Sequence, residues 1–388
     1  MAKKKQNIVR NIKVRLIFSY LILFPFGQIL NVRIGSIKAH PIDVLVFLSL
    51  PLYFIRPIPN PSYLKYFKYF LAACIFSLIL SLNLYPLSEI LIGGLYLLRL
   101  SSYLAFSAII FDLVDNKSIS MKVIRKSLLI ISLATALLGI IQYFWIPNLT
   151  TLRFLDWDDH LGRLAGTFLD PGFIGLIIVF GLLTSIHYFL KGKIYVIVFF
   201  ILFISLLLTY SRASYLSFIA GLIYLVFRKF DKLMVASVIF FFILFIPLLP
   251  IQKSEGVRIL RTASIQARIE NYKESFMIIN KNPLFGVGFN NICSARLRLI
   301  GGKYPSNSCY GADSSLLFII ATTGIVGLLL FIKSGFEIWK NILGDSFGTV
   351  SKSIIIALLI HSLFSNSLFY PWVMGYLGLL FSATMKKI

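Results

Sequence analysis

The sequence predicts an all-α polytopic membrane protein, with about twelve membrane-spanning helices and one large loop on the outer side. Three observations predict it. Hydrophobic residues fill 58% of the 388 positions and charged residues only 14%, where soluble domains sit near roughly 45–50% and 25%. Mean hydropathy is +0.86. Apolar runs of helical length then recur along the whole chain, separated by basic loops. A closed β-barrel would instead need alternating segments of about ten residues. The 36 Phe and 19 Tyr suit rings that face lipid or sit at its interface.

The spans fall at 16–32, 41–55, 69–85, 88–111, 127–147, 171–190, 194–210, 213–227, 233–250, 314–332, 353–371 and 373–385. The first apolar run has no small-residue cleavage site and is followed by further spans, so no cleavable signal peptide is expected. Lys3, Lys4, Lys5, Arg10, Lys13 and Arg15 precede the first span. Basic residues recur in every second loop, at Arg56, Lys122, Lys191, Arg228, Lys333 and Lys386 among others. By the positive-inside rule both termini are cytoplasmic. The net charge of +23 thus reads mainly as topology. Its spread over many loops argues against a nucleic-acid ligand.

The loop 251–312 lies on the outer side and is strongly basic, with only Glu255, Glu270 and Glu274 opposing its cations. Within it, Ile265, Ile269, Tyr272, Phe276 and Ile279 repeat at helical spacing. Asn282-Pro283 and Gly286/Gly288 end that helix in a turn. The expectation is an amphipathic helix lying on the bundle, with Arg268 on its border. Cys293 and Cys309 share this loop and either pair or remain two thiols, since spacing alone does not fix geometry. Cys74 reads as packing.

Arg99 stands within the fourth span, and an intramembrane arginine is a functional candidate by default, facing a substrate cavity or pairing with another group. Arg163 lies near Asp170-Pro171 and either contacts an anion or pairs with Asp170, the pair being preferred. Asp156, Asp158, Asp159 and His160 form an acidic loop run that reads as solvated, so no metal is expected. Ser211 beside Arg212 has no histidine near it in sequence, and His40, His187 and His361 fall on scattered spans. A Ser-His-Asp arrangement therefore has no support. No cofactor is implied; there is no nucleotide-binding loop of the G-x-x-x-x-G-K type.

Four segments occur in order: GRLAGTFLDPGFIG (162–175), TYSRAS (209–214), QARIENYKESFMIINKNPLFGVGFNN (266–291) and DSSLLFIIATTGIVG (313–327). Together they resemble the O-antigen ligase and O-antigen polymerase superfamily, most strongly over 160–335, with 1–388 expected as one transmembrane domain. The resemblance implies a fold like that of the multi-helix, lipid-donor (GT-C type) glycosyltransferases. It implies metal-independent glycosyl transfer from an undecaprenyl-pyrophosphate-linked oligosaccharide, at the periplasmic face of the bacterial inner membrane. It assigns Arg212 and Arg268 to the donor pyrophosphate; Arg163 and Arg99 stand beside them as secondary candidates from their places in the chain. Guanidinium forks stabilise the charge that builds on pyrophosphate as the glycosidic bond breaks.

The family's His-Asn pair falls on Asp313 and Ser314, a departure from the ligase pattern. Asp313 reads either as the base for the acceptor hydroxyl or as a helix N-terminal cap. That departure points to a polymerase of lipid-linked repeat units, for which a chain-length regulator is an expected partner alongside membrane lipids. The alternatives are a ligase acting on a lipid A core and, from another class, a lipid-linked sugar transporter or flippase. Acids within the spans would favour the transporter, and Asp43, Glu89, Asp112 and Asp313 all lie near span ends.

Overall fold

A computed structural model describes residues 2–34, 37–55, 61–150, 152, 160–228, 230–250, 262–302 and 311–385. Helices dominate, and the only strands among these residues, β1 (Val32–Ile34) and β2 (Ile37–Ala39), form one antiparallel hairpin. Each expected span has a helical counterpart. Five helices among the described residues are long and apolar enough to cross a bilayer by themselves, and six further apolar helices are shorter. The chain divides into two compact units, taken separately below.

Unit 1 comprises Met1–Leu45, Lys117–Arg261 and Leu343–His361. Its helices are α1 (Ala2–Leu23), α5 (Met121–Trp145), α6 (Pro171–Tyr188), α7 (Lys193–Leu208), α8 (Arg212–Val226), α9 (Lys232–Phe245) and α13 (Ser346–His361), and α2 (Pro41–Phe54) begins within it. Helix α1 starts and ends earlier than the expected 16–32, because Pro25 and Gly27 break the chain there. Gly27 has φ +54, and a β-carbon on it would stand 2.5 Å from the Thr167 carbonyl oxygen. Only glycine fits that close approach. Helix α6 is apolar all round and buried along most of its length, packed by α5, α7, α8 and α13. The GRLAGTF segment is fastened to α5, since Gln142 Oε1 accepts from the N–H groups of Ala165 (3.0 Å) and Gly166 (2.8 Å).

Unit 2 comprises Val46–Asn116, Thr262–Ile342 and Ser362–Ile388. It holds α3 (Ser62–Leu80), α4 (Leu87–Asp115), α10 (Ala263–Lys281), α11 (Ile292–Leu299), α12 (Ser315–Asn341) and α14 (Pro371–Ser382). Helix α3 packs on α12, α14 on α4, and α10 on α12. Phe70, Cys74, Leu78, Ile278, Val287, Phe289, Phe318 and Ile319 share the core. The span expected at 353–371 is shorter: α13 ends at His361 and a Ser/Asn-containing loop precedes Pro371.

Helix α12 is broken at Gly324 (φ 65, ψ −171). The NPLFGVG loop after α10 fills the break with its own backbone. Ile325 N–H donates to Pro283 O (2.9 Å), Val326 N–H to Leu284 O (3.3 Å), and Val287 N–H to Ala321 O (3.0 Å). Ser77 Oγ on α3 donates to Thr322 O (2.6 Å) and accepts from Gly288 N–H (3.0 Å). A β-carbon at Gly324 would lie 2.1 Å from Leu284 O. In a span this mutual satisfaction replaces water that is not there. The turn expected at Pro283 to Gly288 is therefore the plug of a broken helix.

Candidate functional site

In unit 1 the TYSRAS segment is the joint between α7 and α8. A helix ends with unsatisfied carbonyls. Here Leu164 N–H takes Leu208 O (2.9 Å), while buried Arg163 donates from Nε to Thr209 O (3.0 Å) and from Nη2 to Tyr210 O (3.3 Å). Tyr210 sits in the left-handed region (φ 50). Its hydroxyl donates to Pro250 O at 2.9 Å. Ser211 caps α8 by accepting from Ser214 N–H, and half-buried Arg212 is the first helical residue.

Asp170 corrects the expected pair with Arg163. Its Oδ1 accepts instead from the N–H groups of Gly172 (2.6 Å) and Phe173 (3.0 Å), capping α6. A free helix start takes a carboxylate readily, and Arg163 is drawn to the orphan carbonyls of α7. His361, set aside in the sequence as one of several scattered histidines, ends α13 fully buried, with its Nε2 4.0 Å from a β-carbon built on Gly172. The sequence signal for the helix end is the polar cluster Ser365, Asn366 and Ser367 shortly after it.

In unit 2, α10 exists as expected, but its packed face differs. Ile265, Ile269 and Phe276 are exposed, whereas Asn271, Ser275, Ile278 and Ile279 are buried. Arg268 is half-buried on that same stripe, spaced at three and four residues from Asn271 and Tyr272. Asn271 Oδ1 accepts the Asp313 N–H at 2.9 Å. Tyr272 donates its hydroxyl to Leu363 O. Burial raises the Tyr272 pKa; Asp313 adds to the rise and Arg268 opposes it, so both charges act on this one hydroxyl. The structure thus gathers Arg268, Tyr272 and Asp313.

The cap of α12 is Ser314, whose Oγ accepts from Leu317 N–H (3.5 Å); Asp313 stands one residue before it. The start of α12 is also held by the 362–368 loop, through Ser315 N–H to Ser362 O (2.9 Å) and Leu368 N–H to Ser315 Oγ (3.1 Å). Arg99 on α4 lies over the Tyr96 ring, 5.2 Å from its centroid, a cation–π contact. Among the described residues of the basic loop, Arg296 pairs with Glu274 (2.8 Å) and Arg298 with Glu89 (2.6 Å). Cys293 is disulfide-bonded and Cys74 is free and buried. Cys309, Asp156, Asp158 and Asp159 lie outside the described residues.

Chemically, unit 1 offers Arg212 at a helix start, and unit 2 offers a guanidinium, a phenol and a carboxylate around α10 and α12. The arginines Arg212 and Arg268 fall in different units. No curated protein matches the chain. The model of the family described as O-antigen ligase does match, over residues 197–332, from α7 into α12. Over that stretch, which includes Arg212, Arg268 and Asp313, the chain is similar to the O-antigen ligase family, and five of its described helices are long and apolar enough to cross a membrane.

Proposed function

We propose that this protein polymerises undecaprenyl-pyrophosphate-linked oligosaccharide repeat units at the outer face of the inner membrane. The observation that carries the reading is the family match over 197–332 with an aspartate, Asp313, where the ligase pattern has histidine. Arg212 and Arg268 are assigned to donor phosphate oxygens. Each supplies a planar fork whose hydrogen bonds strengthen as the leaving pyrophosphate gains charge. Pyrophosphate leaves without protonation, so the remaining need is a base for the acceptor hydroxyl, and Asp313 is assigned to it. The cap role that competed for Asp313 is filled by Ser314. Arg163 supports the α7–α8 joint that carries Arg212, and Arg99 is kept as a secondary donor contact.

The test is to incubate purified protein in lipid with a defined undecaprenyl-pyrophosphate repeat unit and resolve the products by size. The expected result is a ladder of lengthening chains with release of undecaprenyl pyrophosphate. The family description itself favours a second reading, ligation. Product formed only after a lipid A core acceptor is added would establish that instead. Movement of the lipid-linked sugar across the membrane without any product would overturn both.

A further inference from the structure

The end of α6 away from Asp170 gathers cations against aromatic rings, where the starts of α5 and α13 and the turn Phe189–Lys191 meet it in unit 1. Lys191 Nζ lies 2.8 Å from His187 Nε2 and 4.8 Å from the Tyr188 ring centroid. An ammonium only donates, so the imidazole accepts at Nε2 and is neutral, and its Nδ1 donates to Ser346 Oγ at 3.1 Å. Arg125 pairs with Asp345 at 2.9 Å and stands 4.5 Å from the Phe347 centroid. Tyr188 stacks on Tyr195, with 5.0 Å between centroids.

The charges here do not balance. Lys191 and Arg125 both act on the His187 ring, and Asp345 opposes them. That leaves one cation in excess beside a neutral imidazole. Lys191 is exposed, and His187 takes one of its three N–H groups, which leaves two for an outside acceptor. The loops that carry Lys122 and Lys191 are among those that the positive-inside rule puts in the cytoplasm, and tyrosine rings beside cations belong at headgroup level. We propose that this cluster binds the phosphate of an anionic phospholipid in that leaflet, with Lys191 as its main contact and Arg125 as the second. Basic clefts between spans at this depth take such headgroups. A diffusible phosphate would bring the same charge without acyl chains. Leu190, Ile194 and Ile197, exposed beside Lys191, give those chains an apolar surface to lie on.

The test titrates three probes onto the full-length protein in a neutral detergent: phosphatidylglycerol, phosphatidylcholine and glycerol 3-phosphate. Native mass spectrometry reads the affinities. Phosphatidylglycerol should bind more tightly than the other two and raise the melting temperature. Lys191→Gln should weaken it about fivefold, the share of one lysine at a lipid surface. Lys191→Arg should retain the binding. Lys232→Gln removes another exposed lysine, at the start of α9, and should change nothing. Equal affinity for phosphatidylglycerol in Lys191→Gln and the unaltered chain, or an equal loss in Lys232→Gln, overturns the site. Phosphatidylcholine binding as tightly as phosphatidylglycerol overturns it as well. Glycerol 3-phosphate binding as tightly as the lipid would make the ligand a diffusible phosphate and sink the lipid assignment.

Discussion

The backbone N–H of Asp313 is held by the side-chain oxygen of Asn271 at 2.9 Å, which fastens the start of α12 to the middle of α10. Asn271 is 7% exposed, so this bond is shielded from water. Its removal should be felt in both stability and activity. Asn271→Ala leaves a buried donor without its acceptor and should cost about 1–3 kcal/mol. Thermal melts in detergent together with the ladder assay check this. A variant with wild-type melting and wild-type turnover would mean that the link positions nothing.

Arg212→Lys and Arg268→Lys keep the charge but lose the planar fork. Each should reduce polymerisation by roughly a hundredfold, the range seen when one oxyanion donor is lost. Initial rates at saturating lipid-linked donor measure it. Full activity in either variant would remove that arginine from the phosphate.

Asp313 and Ser314 separate base from cap. Asp313→Asn should lower turnover by roughly 10²–10⁴ with little change in melting temperature. Ser314→Ala should do the reverse, costing about 1 kcal/mol of stability while chemistry persists. Turnover and melting of the two variants, measured side by side, decide it. If Asp313→Asn only destabilises, the base lies elsewhere.

Tyr272 gives a pH prediction. Its folded pKa lies above the ordinary value of 10.0, chiefly through burial. A group raised in this way contributes stability in full below its unfolded pKa and loses it only as pH rises through the folded one. The bond to Leu363 should therefore be as strong at pH 9 as at pH 7. Tyr272→Phe should lower the melting temperature equally at both. A penalty that vanished at pH 9 would contradict the assignment.

Gly324→Ala should be among the most damaging small substitutions. The position combines φ +65 with backbone 2.1 Å from where the methyl would stand. Strain and overpacking together should cost at least ~2 kcal/mol, read as lost folded yield in membranes. Wild-type yield and melting would mean that the break tolerates repacking.

The helices were legible in the sequence because hydropathy reports burial in lipid directly. Spans such as 88–111 and 171–190 match α4 and α6 closely. The packed face of α10 was not. Ile265, Ile269 and Phe276 carry most of the apolar period yet are exposed, while Asn271 and Ser275 turn inward together with Ile278 and Ile279. At a membrane, apolar side chains lose little by facing lipid, whereas polar groups must find partners in the protein. The N-terminal part of α10 therefore does not follow the usual rule for an amphipathic helix. His361 was illegible for another reason: its neighbour Gly172 lies far away in the chain, and periodicity carries no long-range register. Arg163 was visible as a cation, but its partners are carbonyls, which no residue type announces.

The plug in α12 bears on how the chain is made. Residues 283–287 leave the ribosome before α12, so the groups that complete the break exist before the helix that needs them. Until they dock, the open amides and carbonyls around Gly324 have no partner in hydrocarbon. Segments 282–288 and 315–341 should thus mature as a pair, which pulse-labelled cross-linking between introduced cysteines would follow. A lesion in NPLFGVG would then surface as a failure of biogenesis, with protein cleared before it reaches its folded state.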